Sequence, residues 1–238
     1  MSGQNSERTF ARRSFLSKLG IGLTAGGAAL GTGIAGAQTQ PGGENGRWQP
    51  ARHAVDDWLD QIPGKHRFVL DTTTPDGFGN ALAFLNNYFN VNQNAYGLQD
   101  GDLAVVLVAR HLSTLFAFND TIWAKYGGTI TQRTNFNDPK TKQPPTINLF
   151  NSTGHGGALP NRGTTLDSLL KRGLHLAVCQ MSTRGNAGGI AAASGGTAEA
   201  IYNELVANLV SRNAHMVPAG IVAVNRAQER GYSLATVG

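Results

Sequence analysis

The sequence predicts an α/β domain built on one parallel sheet, and two observations carry that prediction. From about residue 65 onward, short apolar runs of strand length alternate with segments of helical periodicity. One of the runs, Leu103-Ala104-Val105-Val106-Leu107-Val108-Ala109, is apolar at every position. That is expected of a strand with helices packed on both faces. Strands alternating with helices imply right-handed crossovers and therefore a single parallel sheet.

The first 37 residues read as a twin-arginine signal peptide. Arg12 and Arg13 open the motif, followed by Ser14-Phe15-Leu16-Ser17-Lys18. Residues 19–37 carry no charge, and their five large aliphatics stand against seven glycines, which is too weak for a comfortable membrane span. Ala35-Gly36-Ala37 is a small-residue cleavage pattern, placing the cut between Ala37 and Gln38. The other reading is an uncut anchor helix, which the glycines disfavour at up to about 1 kcal/mol each. A twin-arginine signal makes the export machinery a partner, delivers the chain folded, and puts it in the periplasm or outside the cell.

Residues 38–64 are expected as a flexible leader, rich in Gly, Pro, Gln and Asn at their start, with a short amphipathic turn at 54–59. The domain then spans 65–238. Its first strand is His66-Arg67-Phe68-Val69-Leu70, closed by turn and cap residues through Gly77. Leu82, Leu85 and Phe89 predict a helix leaving at Gly97, and Leu103 opens the second strand. A helical stripe from Leu112 to Trp123 ends near Gly128. Residues 129–163, with Pro144-Pro145 and few core residues, read as an inserted surface segment: a lid, an oligomer contact or a disordered stretch. A helix at 165–172 leads to a third strand at 174–179. A Gly/Ser/Ala-rich stretch at 182–196 precedes a helix at 197–212. The fourth strand is 215–217, the last helix 221–230, and the fifth strand 232–237.

Composition bounds function. The chain carries +5, but the signal segment holds four of the bases against one acid, so the mature protein has 16 basic and 14 acidic residues. Those bases are scattered, which argues against a nucleic-acid partner. The single cysteine, Cys179, excludes an internal disulfide.

In an open parallel sheet, ligands bind beyond the carboxyl ends of the strands. There the chain places Asp71 with Thr72 and Thr73, Arg110 with His111, Cys179 with Gln180, and Pro218 with Gly220. A thiol near a helix N-terminus, Arg110 or protonated His111 loses its proton and becomes a nucleophile. Cys179 equally reads as a small buried hydrophobe, His111 as a cap for nearby backbone, Arg110 as a surface charge, and Asp71 as a helix cap. If the chemistry is real, Cys179 and His111 face one pocket, with Asp71 and Arg110 on its rim and residues 129–163 covering it. No zinc spacing, Walker loop or HExxH motif is present, and no metal or cofactor is expected. Gly185-Asn186-Ala187-Gly188-Gly189 is only loosely a phosphate cradle. Gly154-His155-Gly156-Gly157 has the look of an oxyanion loop without a G-x-S-x-G elbow.

Taken together, His66 to Asp71, Asp102 to Val108 running into Arg110-His111, Arg172-Gly173 leading to Cys179, and Val217-Pro218-Ala219-Gly220-Ile221 with Gln228-Glu229-Arg230-Gly231-Tyr232 resemble the DsrE/DsrF-like (YchN-like) family. The resemblance covers residues 65–238. It implies a three-layer α/β/α (DsrEFH-like) fold with a five-stranded parallel sheet, often assembled as a homo-oligomer. It also implies that Cys179 matches the cysteine that carries persulfide sulfur in some members. Arg110 and His111 would then support the thiolate; Asp71, Thr72 and Gln180 would line the ligand site; and a sulfur donor or acceptor protein would be the partner. The alternative is a small-ligand-binding or assembly protein with an inert, buried cysteine.

Overall fold

Five strands, β1 (His66–Thr72), β2 (Leu103–Ala109), β3 (Leu174–Cys179), β4 (Ala214–Val217) and β5 (Ser233–Val237), form one sheet in the order β4-β3-β2-β1-β5. Every pairing is parallel. The computed structural model describes residues 48–238. Arg12, Arg13, Ala37 and Gln38, the expected export motif and cleavage site, lie outside the described residues. Among the described residues no helix is long and apolar enough to cross a membrane.

Strand order decides where the helices go. Steps from β1 to β2, β3 and β4 all move in one direction, so right-handed crossovers put their helices on one face. These are α2 (Pro75–Tyr96), α3 (Asp120–Thr134), α4 (Leu166–Lys171), α5 (Gln180–Ser194) and α6 (Ala198–Ala207). The last step returns from β4 past β1 to β5, and the same handedness throws α7 (Gly220–Gln228) onto the opposite face, across β1, β2 and β3. The result is a three-layer α/β/α fold.

The two layers differ in substance. On the five-helix face, Phe78, Phe116, Trp123, Phe136 and Phe150 form one aromatic cluster, with Phe116 4.8 Å from Phe150 and 5.0 Å from Phe136, centroid to centroid. On the α7 face the core is smaller and built from Val69, Val106, Val108, Ala177, Val217, Ala223 and Ala227. α1 (Trp58–Gln61) completes this thin layer, with Leu59 and Ile62 buried. The folded unit therefore begins at Gln49, inside the span expected to be leader, because these apolar side chains cover sheet that α7 alone leaves bare.

Local signals explain several ends. The Thr74 side chain accepts the Gly77 amide at 2.9 Å and Pro75 sits in the first turn of α2, which stops at Gly97 with φ 69. Asn119 caps α3 by accepting the Thr121 amide, and α3 runs past Gly127 and Gly128 to Thr134. Gly127 is needed there, since a Cβ would strike the Pro145 carbonyl oxygen.

Residues 129–163 are thus not a surface insertion throughout. The start of the stretch is helix, and Phe136, Leu149, Phe150 and Leu159 are core. Asn148, fully buried, pins the segment by donating to the carbonyls of Phe116 and Phe118 at 2.8 and 3.0 Å. The Gly/Ser/Ala-rich stretch after Cys179, for which the sequence predicts no element, is the helix α5. The helix expected over 197–212 ends at Ala207.

Candidate functional site

Side chains alternate along a strand, so residues two apart share a face. Val69, Val108 and Ala177 belong to the α7-side core, which puts Asp71, Arg110 and Cys179 on that same side at the carboxyl edge. Arg110 closes a bidentate pair with Asp71, Nε to Oδ1 and Nη2 to Oδ2, both at 2.8 Å. The Asp71 side chain is 5% exposed and that of Arg110 28%. The hydrogen bond to Asp71 holds the Arg110 guanidinium even further above its ordinary range, and nearby Cys179 adds to the effect.

Cys179 is the N-cap of α5, and its Sγ accepts the amide of Ser182 at 3.4 Å. The sulfur therefore meets the positive end of a helix. The residue is 5% exposed. At the start of α7, Gly220 leaves the space that Arg110 uses, since a Cβ on Gly220 would lie 2.6 Å from Arg110 Cβ and 3.1 Å from Cδ. Ala219 offers no side-chain cap to α7, so the first amides of this helix are left without one.

His111 takes the other side of the edge. Its backbone is left-handed, with φ 56, and its amide donates to Ser182 Oγ at 2.8 Å. One serine thus links both predicted residues, by its amide to Cys179 and by its hydroxyl to His111. His111 lines a pocket of about 170 Å³ with Leu112, Arg133, Ser182, Gly185 and Asn186, and Cys179 is not among its lining residues. Strand directions are as expected, but His111 lies past the end of β2 in a left-handed backbone and turns toward α3 and α5. Residues 135–163 pack on the five-helix side and do not cover Cys179.

Thr72 and Gln180 are engaged elsewhere. Thr72 is fully buried and donates its hydroxyl to the Val108 carbonyl at 2.8 Å, while Gln180 donates to the Tyr202 hydroxyl at 2.8 Å. Asp71 caps no helix, a role Thr74 fills. Sequence reasoning missed Ser182 and Arg133, and placed Gly220 at this edge without a role. The first is hidden in a Gly/Ser/Ala-rich run of weak helix propensity that predicts no element; a Ser three residues after a Cys that ends a strand is the signal that finds it.

Among the described residues no group of three or more His, Cys, Asp and Glu is placed to hold a metal ion. No family model, curated protein or solved structure matches the chain. The fold and the edge geometry define an α/β/α protein with a capped thiol beside an ion pair, and carry the functional reading alone.

Proposed function

We propose that this is an exported, DsrE-like sulfur carrier in which Cys179 accepts sulfane sulfur. The observation that carries the reading is the Sγ of Cys179 at the N-terminus of α5, held by the Ser182 amide on the same face as Arg110. A negative charge on sulfur meets a helix dipole and a guanidinium there. In the transfer, the Cys179 thiolate attacks the outer sulfur of a donor persulfide. The donor S–S bond breaks, its thiolate leaves, and a new S–S bond forms on Cys179, with no net change in electrons. The outer sulfur then carries the charge on the face that bears Arg110 and the uncapped N-terminus of α7. Export is supported by the paired arginines Arg12 and Arg13 and the small-residue site before Gln38.

Intact-mass measurement after polysulfide treatment tests the reading. A gain of about 32 Da that disappears in Cys179→Ala is expected. No gain, or one that survives the substitution, overturns it. A second reading, a binding or assembly protein with an inert thiol, is favoured by the 5% exposure of Cys179 and by Asp71 already occupying Arg110. Thiol labelling of native protein separates the two: rapid reaction at neutral pH supports the carrier, and reaction only in denaturant supports the inert thiol.

A further inference from the structure

Between α3 and α4 the chain brings a carboxylate, an imidazole and a hydroxyl into line. His155 Nε2 lies 3.1 Å from Asp138 Oδ1, and Ser152 Oγ lies 3.2 Å from His155 Nδ1. The His155 and Asp138 side chains are only 10% and 16% exposed. Burial alone would raise the Asp138 carboxyl, but the amides of Lys140 and Thr141 and the His155 ring outweigh it and hold it below its ordinary value. The ionised carboxylate accepts the Nε2 proton, which fixes the tautomer and leaves Nδ1 as an acceptor. Ser152 Oγ already accepts the Gly154 amide at 3.3 Å, so its own hydrogen points to Nδ1. This is the order nucleophile, base, orienting acid.

The backbone supplies a second, independent feature. His155 is right-handed, with φ −98 and ψ −19, and Gly156 follows in the left-handed region with φ 48. A right-then-left pair turns successive amides to one side and makes a concavity that receives an anion. The loop is firmly seated: Phe150, two residues before Ser152, is buried in the aromatic cluster, and Lys140 Nζ donates to the Gly154 carbonyl.

We propose that Ser152 and His155 are catalytic residues for acyl transfer from small esters, that Asp138 positions His155, and that the amides around Gly156 receive the oxyanion. Ser152 Oγ bonds to the ester carbonyl carbon as its proton passes to His155 Nδ1. The ester C–O bond breaks, and the leaving alcohol takes that proton. Water then repeats the sequence on the acyl-serine, releasing the acid and restoring Ser152. This site is independent of Cys179.

The test is reaction of the intact chain with a fluorophosphonate, the adduct located by peptide mass, alongside turnover of p-nitrophenyl acetate. A single adduct on Ser152 is expected, abolished in Ser152→Ala and retained in Cys179→Ala. His155→Ala should slow labelling roughly 100-fold. Asp138→Asn, which keeps the shape, should slow it and also move its pH profile toward acid, which loss of a structural staple would not do. No adduct, an adduct on another residue, or an undiminished rate in His155→Ala overturns the proposal. Mapping the adduct on the unsubstituted protein decides the matter even if a variant fails to fold.

Discussion

The two faces of the sheet are built on different chemistry. The five-helix face is closed by an aromatic cluster in which Phe78, Phe116, Trp123 and Phe150 are all fully buried. The α7 face has one full helix and a fragment, so its rim stays partly open. There the side chains are polar: Asp71 with Arg110 at the carboxyl edge, Arg230 with Asp60 at 2.9 Å, and His175 with His215 at 2.9 Å. Each face bears one nucleophile in a different setting. Cys179 is fixed by the sheet, whereas Ser152 is fixed by a loop whose anchor is the thick core. Stability is concentrated on one side and adjustable charge on the other.

Phe150→Ala should break the thick side most severely. It removes a fully buried ring that packs against three aromatic neighbours and loosens the loop carrying Ser152. A loss of about 3–5 kcal/mol is expected in urea unfolding. A loss under about 1 kcal/mol would mean that residues 135–163 are not part of the core.

Gly220→Ala probes the thin side. Its Cβ would press on Arg110 Cβ and Cδ and on Val108 Cγ1 at 3.2 Å. Arg110 cannot swing freely while Asp71 grips both ends of its fork, so an overpacking cost of about 1–3 kcal/mol follows. Because Arg110 and Cys179 share one face of the carboxyl edge and interact electrostatically, the labelling rate of the thiol should change as well. Wild-type stability and wild-type labelling together would show that Arg110 does not use this space.

Much of this contrast was legible in the sequence, and the reasons differ by residue. β2 was visible because a buried parallel strand is a continuous apolar run, and Leu103 to Ala109 left no other reading; the other four were read from short apolar runs between helical and turn segments. Asp71, Arg110 and Cys179 followed from the rule that chemistry gathers past the carboxyl ends. The face each would choose was not legible, because one residue of register reverses it, and the left-handed turn at His111 leaves no mark in the sequence. α5 was missed because its glycines and serines carry weak propensity, and packing of Ala187 and Ile190 overrides them. Ser152, His155 and Asp138 were illegible as a group, since their meeting depends on a loop seated by the Asn148 side chain and by Phe150.

The smallest expected effect concerns acid and the thin face. His175 and His215 lie side by side on β3 and β4, with the Trp58 indole stacked on His215 at 4.1 Å. Burial lowers both imidazoles. His175 falls to about 4, with the neighbouring His215 charge adding to the effect. The folded pair is therefore neutral over a range where the unfolded chain, near 6.5, takes up protons. The stability this gives is present above about pH 6.5 and is lost as pH falls from there toward 4. Both rings are only partly buried, so solvent screening cuts the linkage to the order of 1 kcal/mol. Carboxylates such as Glu204, which Lys125 holds below its ordinary value, also lose their stabilising effect as the pH falls and must be subtracted. His215→Phe keeps a ring under Trp58 and removes one titration. Between pH 7 and 4.5 the wild type should lose more urea resistance than this variant. Equal losses would mean that the pair does not sense acid, and that the thin face is polar without being responsive.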